Sequence, residues 1–257
     1  RDDAIAKVER VLETSTEAEA RTLFRLCSQT QWSYEKTKVE LPHSAWRSEA
    51  TRILYRPFDQ RWTIWDSNVA VHRRERVFSH VVGRKNLILI TARSNKSDII
   101  DHFLVSDIPS ETKCGESTTQ SHVLPLWLYP AENADLLDGS APPKIANLSA
   151  AFLSALHGVI GRNASPESIF AYIYASLYSP SYRLTFADFL RRDFPRVPMP
   201  ESAAVFDELS VLGQRLIDLP LLAQPLPLIT TYPKAGNNRV DRVDFVPDED
   251  NDEQGRI

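Results

Sequence analysis

Apolar residues change their spacing once along this chain, near residue 146. Before that point they gather in short runs. Ile53-Leu54-Tyr55 and Trp62-Thr63-Ile64-Trp65, separated by Pro57, predict two strands joined through a rigid turn. Leu87-Ile88-Leu89-Ile90 has the continuous apolar character of a strand buried on both faces. Phe103-Leu104-Val105 predicts another strand, and the stretch from His122 to Tyr129, broken by Pro125, an edge or covering strand. Two short helices are expected to open the fold. Ile5, Val8 and Val11/Leu12 fall at helical spacing, and Thr16 with Glu19 forms a capping box ahead of Ala20, Leu23, Phe24 and Cys27. A further helix is expected over 73–82, with Val77, Val81 and Val82 inward.

Beyond residue 146 the period is 3.6. Leu148, Phe152, Leu156, Val159 and Ile160 share a face, with Asn147 or Ser149 as cap and Gly158 or Gly161 near the end. Ser165-Pro166-Glu167 starts a helix that carries Ile169, Phe170, Ile173, Tyr174 and Leu177. A short helix from Phe186 to Phe194 is stopped by Pro195. Val205, Leu209, Leu212, Leu216 and Leu219 then make a long apolar stripe, expected in the core. The fold class that follows is α/β (α+β), a mixed-sheet N-terminal half packed against a helical C-terminal half. The expected organisation is a mixed α/β subdomain over 1–145, a helical bracing subdomain over 146–235, and an acidic tail or the start of a further segment over 236–257. Both ends read as interior to a longer polypeptide, and there is no internal repeat.

Composition adds three bounds. At 257 residues and 42% hydrophobic, the chain can bury a full core. No apolar run approaches the roughly 18–20 residues that cross a bilayer, and no secretory leader opens the sequence, so a soluble, cytoplasmic protein without a membrane partner is expected. Cys27 and Cys114 are too few for a disulfide framework and are expected as reduced, buried thiols.

Charge changes the picture more. The net charge is −4, yet Trp46 to Lys96 holds eleven Lys/Arg against four acids, a surplus of seven. Screening confines each charge to about 8–10 Å at physiological salt, so this basic block acts locally, whatever the sign of the whole. Arginine can donate two hydrogen bonds to guanine or to a phosphate, and asparagine can do the same for adenine. Candidate DNA contacts are therefore Arg56, Arg61, Arg73, Arg74, Arg76, Arg84, Lys85, Asn86, Arg93, Ser94, Asn95 and Lys96. Arg56 and Arg61 could equally pair with Asp59 or Asp66 to pin the turn. Arg93-Ser94-Asn95-Lys96, just past a buried strand, is the leading candidate for reading bases. Trp62 and Trp65 could stack on bases, but their pattern is that of core residues.

At this point the residues carry a resemblance. Tyr55-Arg56-Pro57-Phe58-Asp59-Gln60-Arg61, Asn86-Leu87 leading to Arg93, and Leu126-Trp127-Leu128-Tyr129-Pro130 resemble the target-recognition region of large adenine-specific DNA methyltransferases. The likeness is greatest to the single-polypeptide Type ISP restriction-modification enzymes. Glu167 to Tyr174, Tyr178-Ser179-Pro180-Ser181-Tyr182-Arg183 and Asp193-Phe194-Pro195-Arg196-Val197-Pro198 continue it in order, so that it covers about residues 50–220. The resemblance implies a sequence-specific double-stranded DNA recognition domain, non-catalytic by itself, whose partners are duplex DNA and an upstream methyltransferase domain of the same polypeptide. It places S-adenosylmethionine, ATP and Mg²⁺ in other domains and none in this chain.

The residues agree that methyl transfer is not expected here. An amino-methyltransferase needs a polar residue, two prolines and an aromatic in one loop to hold a flipped base, and Ala141-Pro142-Pro143-Lys144 lacks both flanks. Two rival readings remain. The basic block could meet an acidic protein, making the chain a protein-interaction module. Alternatively Asp101, Glu111 and Lys113 imitate the Asp…Glu-x-Lys layout of Mg²⁺-dependent nucleases.

Overall fold

The computed structural model describes residues 1–26, 30–96, 99–130, 143–223, 236–237, 246–248 and 251–256. Cys27 and the Ala141-Pro142 step lie outside the described residues. Residues 1–224 form one compact unit and residues 225–257 another. In the second, Val246–Asp248 and Asn251–Arg256 pair as antiparallel strands, and the rest of the acidic stretch lies outside the described residues.

Three helices open the first unit: α1 (Asp2–Glu13), α2 (Glu17–Phe24) and α3 (Tyr34–Glu40). The Thr16 hydroxyl accepts from the Glu19 N–H as the sequence predicts, while the Glu19 carboxylate accepts from the Ser15 N–H at 2.8 Å. The sequence reading missed α3, although Ser33 caps it by accepting from the Lys36 N–H. Leu41, Trp46 and Ile64 form a buried cluster on which Ile5, Val8 and Leu12 of α1 pack.

Strands β1 (Ala50–Arg56) and β2 (Asp59–Ile64) form a two-stranded antiparallel ribbon through the turn at Pro57. The helix expected over 73–82 shortens to α4 (Glu75–Phe78), followed by hydrogen-bonded turns that still bury Val81. Strands β3 (Ile88–Ala92), β4 (Phe103–Ser106) and β5 (Ser121–Pro125) make an antiparallel sheet in the order β4-β3-β5. All five β3 residues are buried. Their alternation sends Leu89, with Phe103 and Val105 of β4, into the helical half, where they meet Phe170, Tyr174, Leu177 and Ile217. Ile88 and Ile90 point the other way, to Leu54, Phe78, Val81 and Cys114. The N-terminal and helical halves are thus joined through one sheet, as the α/β reading requires. Short strands β6 (Trp127–Leu128) and β7 (Ile145–Ala146) pair beside it.

The helical half comprises α5 (Ala150–Ile160), α6 (Pro166–Tyr178), α7 (Pro180–Thr185), α8 (Ala187–Leu190) and α9 (Ala203–Asp218). Ser149, Ser165, Ser179 and Ser202 cap four of them by accepting from the N–H three residues on, and Gly161 ends α5 at φ +72°. Two tyrosines secure the proline-rich crossing between α8 and α9. Tyr172 donates to the Pro198 carbonyl at 2.7 Å and Tyr182 to the Arg196 carbonyl at 2.8 Å.

The apolar stripe of α9 is rotated from its expected position. Phe206, Gly213 and Ile217 are buried, whereas Leu212 and Leu219 are exposed. Gly213 is the reason. A Cβ there would lie 1.9 Å from the Ala171 carbonyl oxygen of α6, so the helices meet backbone to backbone at that residue. The closest approach therefore centres on a residue with no side chain, which a count of large apolar residues passes over. Gly213→Ala is expected to cost about 1–3 kcal/mol or more by forcing α6 and α9 apart, read as a lowered midpoint in urea denaturation.

Candidate nucleic-acid interface

The basic residues singled out in sequence divide by what the fold has done with their donors. Asn86 is the clearest correction. It is 4% exposed; its Nδ2 donates to the carbonyls of His80 (2.8 Å) and Trp127 (2.7 Å), and its Oδ1 accepts from the N–H groups of Leu87 and Trp127. Every hydrogen-bonding position of the amide is filled, so Asn86 ties the start of β3 to β6 and has nothing left for a base. Asn95 is 5% exposed and donates to the Leu190 carbonyl, and the Ser94 hydroxyl donates to the Arg191 carbonyl. These two residues, expected to read bases, instead satisfy carbonyls that the end of α8 leaves open.

Arginines of the ribbon and of α4 are also engaged. Arg56 binds the Glu111 carboxylate at 2.8 Å and Arg61 grips Asp59 through Nε and Nη2, while both guanidinium groups lie over the Tyr55 ring at 4.2 and 3.7 Å. The bond to Arg61 is the main reason the Asp59 carboxyl is held below its ordinary pKa. Arg73 donates to the Trp65 carbonyl, and Arg74, in a left-handed conformation ahead of α4, to the Ser121 carbonyl. Arg84 donates to the Ser79 carbonyl and stacks on Tyr129. Arg76, Lys85, Arg93 and Lys96 are exposed. Arg93, 68% exposed, stands 3.8 Å from Asp193.

One end of the central sheet collects several of these charges. Because Asn95 and Ser94 clamp the loop after β3 onto α8, Arg93 and Lys96 are brought beside the exposed Arg191 and Arg192. Ala92 pairs with Ser121, which carries Arg74 on its carbonyl. The next residue, His122, stacks edge-on against Phe194 with ring centres 4.9 Å apart. Burial, then the fields of Arg74 and Arg93, hold the His122 pKa below its ordinary value. Asp193 stands opposite Arg93 and Asp188 opposite Arg191 as counter-charges. Sequence reasoning did not find the contribution of Arg191, Arg192 and His122, because they join the basic block only through the β3–α8 clamp.

Glu111 of the nuclease-like layout is engaged within the fold. It accepts from Arg56 and from the Lys113 N–H, and no group of three or more His, Cys, Asp or Glu suited to a metal occurs among the described residues. Of the two tryptophans, Trp65 packs edge-on against Phe78, while Trp62 is 42% exposed opposite Arg52.

Comparison with known families decides where this fold belongs. The Type ISP C-terminal specificity domain matches the chain over residues 1–257. The chain belongs to this family. The match extends beyond residues 50–220, where the sequence resemblance lay, and takes in α1–α3. No curated protein sequence matches. Among solved structures, the specificity domain resembles part of the chain in a DrdV–DNA complex, with a TM-score of 0.61 and 22% identity over 91% of this chain and 22% of that one. The Type ISP restriction-modification enzyme LlaBIII, solved bound to DNA, gives 0.62 and 16% identity over 87% of this chain and 14% of that one. A nuclease-deletion mutant of the Type ISP enzyme LlaGI, in complex with a DNA substrate mimic, gives 0.52 and 20% identity over 89% of this chain and 19% of that one. The chain thus spans about a fifth or less of these polypeptides, and at such identities the likeness is one of fold.

Two stability tests follow from this geometry. Asn86→Ala strands several buried main-chain groups at once and is expected to cost about 2–3 kcal/mol, whereas Arg93→Ala should stay within about 0.5 kcal/mol, both read by urea denaturation. The second concerns His102, buried with Nε2 against the Ser121 hydroxyl and its ring so close to Gly115 that a Cβ there would sit 2.5 Å away. Burial lowers its pKa, so the unfolded chain takes up a proton more readily. Stability should be fully present above about pH 6.5 and fall as pH drops below it. His122 acts in the same direction. His102→Gln should flatten the difference in unfolding free energy between about pH 5.5 and 7.5.

Proposed function

We propose that this chain is the sequence-specific double-stranded DNA recognition domain of a Type ISP-like restriction-modification polypeptide, and that it is non-catalytic by itself. The observation that carries this reading is the docking of the loop after β3 on the end of α8, which within a specificity-domain fold sets the exposed Arg93 and Lys96 at the same sheet end as Arg191 and Arg192. Arg93 and Lys96 make phosphate or base contacts there, and the exposed Arg76 and Lys85 extend the basic surface. Its second partner is a methyltransferase domain of the same polypeptide. S-adenosylmethionine, ATP and Mg²⁺ serve other domains of that polypeptide, which works in the cytoplasm. No helix among the described residues is long and apolar enough to cross a membrane.

The acidic-protein rival lacks a comparable observation, because Arg56, Arg61, Arg73 and Arg74, much of the basic block on which it rests, are committed within the fold. Selection of duplexes from a randomised pool at ~100–150 mM salt by the full-length polypeptide should enrich one short asymmetric motif. Absence of enrichment with a folded protein refutes the reading. On the selected duplex, Arg93→Glu with Lys96→Glu should weaken binding and reduce the salt slope by about one unit for each phosphate no longer neutralised, while Asn95→Ala should act through stability instead.

A further inference from the structure

We propose that Phe58, at the tip of the β1–β2 ribbon, is a wedge that stacks against a base step of the bound duplex. This rests on the DNA-recognition reading above and adds a mode of contact to it.

Three features of the tip point there. The first is a conflict of residue and conformation. The connection between the strands is Pro57-Phe58, and Phe58 has φ +62°. A turn with proline first and a left-handed second residue favours glycine or asparagine at that second position, and the fold holds a bulky aromatic there instead. Strain of this kind persists where the surroundings impose it and gathers at working sites. The second is exposure: Phe58 is 65% exposed, too far out for the core to account for it, and Trp62 on β2 is also open, beside Arg52 and Gln60. The third is rigidity. Arg56 and Arg61 sit over the one Tyr55 ring, Arg56 is anchored to Glu111, and β1 is fixed on the loop after β4 by the Leu54 N–H to the Pro109 carbonyl at 2.8 Å and the Glu111 N–H to the Leu54 carbonyl at 2.9 Å.

A rigid aromatic point on a two-stranded ribbon suits a duplex. A ribbon of two strands can enter a groove of the duplex, and apolar side chains inserted at a base step unstack it. The tip's one acid does not oppose this, because Asp59 is matched by the double grip of Arg61. Arg52, exposed on β1, is left on the ribbon to face a phosphate.

The test uses the full-length polypeptide and the duplex motif selected with the wild type, carrying 2-aminopurine at successive positions. Phe58→Gly removes the ring and relieves the positive φ, so the variant should melt at the same temperature as the wild type or higher. It should bind the motif about tenfold more weakly, the loss expected for one stacked base. The fluorescence rise that marks an unstacked 2-aminopurine in the wild-type complex should vanish, and Phe58→Trp should restore both. Unchanged affinity and unchanged fluorescence in Phe58→Gly overturn the wedge while leaving DNA recognition in place. A loss of affinity with no unstacking in the wild-type complex also overturns it, and assigns Phe58 to contact with a neighbouring domain. A wild type that enriches no duplex refutes DNA recognition itself, and the wedge with it.

Discussion

The structure depends on a single strand that is buried on both faces. The pleat of the β3 backbone sends one side chain into the helical half and the next into the layer of β1 and α4, so Leu89 and Ile90 belong to different cores. A strand in that position cannot slip: a shift of one residue would exchange the two faces. The residues around it hold its register. Asn86 fixes its start to β6 by two of its four hydrogen bonds, and Asn95 fixes its far end to α8.

This explains why Asn86, at the start of the strand, has no group left for a base. A buried amide is costly unless all its donors and acceptors are used, and once used they define geometry rather than contact a ligand. The clamps have a functional consequence all the same. By docking the loop after β3 on α8, Asn95 and Ser94 set Arg93 and Lys96 among arginines from a part of the chain about a hundred residues away. The ribbon is organised by a similar economy: Tyr55 serves two guanidinium groups, Glu111 and Asp59 balance their charge, and the aromatic at the tip is left outward.

Much of the fold was legible in the sequence because its signals are local. The Ser165 start, a stop at Gly158 or Gly161, the run Ile88–Ile90 and the Pro57 turn each depend on a few neighbouring residues, and each lies within a few residues of its expected place, whereas α7 with its Ser179 cap had no counterpart in the sequence pattern. The misses have physical causes. Helix α3 is short and carries one mostly exposed surface, so it shows little apolar period. On α9 the counting of large residues was led astray by Gly213, whose importance lies in the absence of a side chain. The candidate site was less legible. Arginine and asparagine have the same letters whether they bind DNA, a carbonyl or a carboxylate, and only the partners across the fold decide among these.

By itself, then, the sequence determined the order and type of the main elements, the basic block within an acidic chain, and the family likeness, since periodicity, capping and motif order are properties of neighbouring residues. The tertiary structure alone decided which basic and amide groups gather at the surface. Asn86, Ser94 and Asn95 were withdrawn by main-chain groups distant in sequence, Arg56 and Arg61 by ion pairs, and Arg191 and Arg192 were added by the β3–α8 clamp. The reason is that a hydrogen-bonding group can serve two ends but not at once, and which end it serves is settled by contacts that no local pattern encodes.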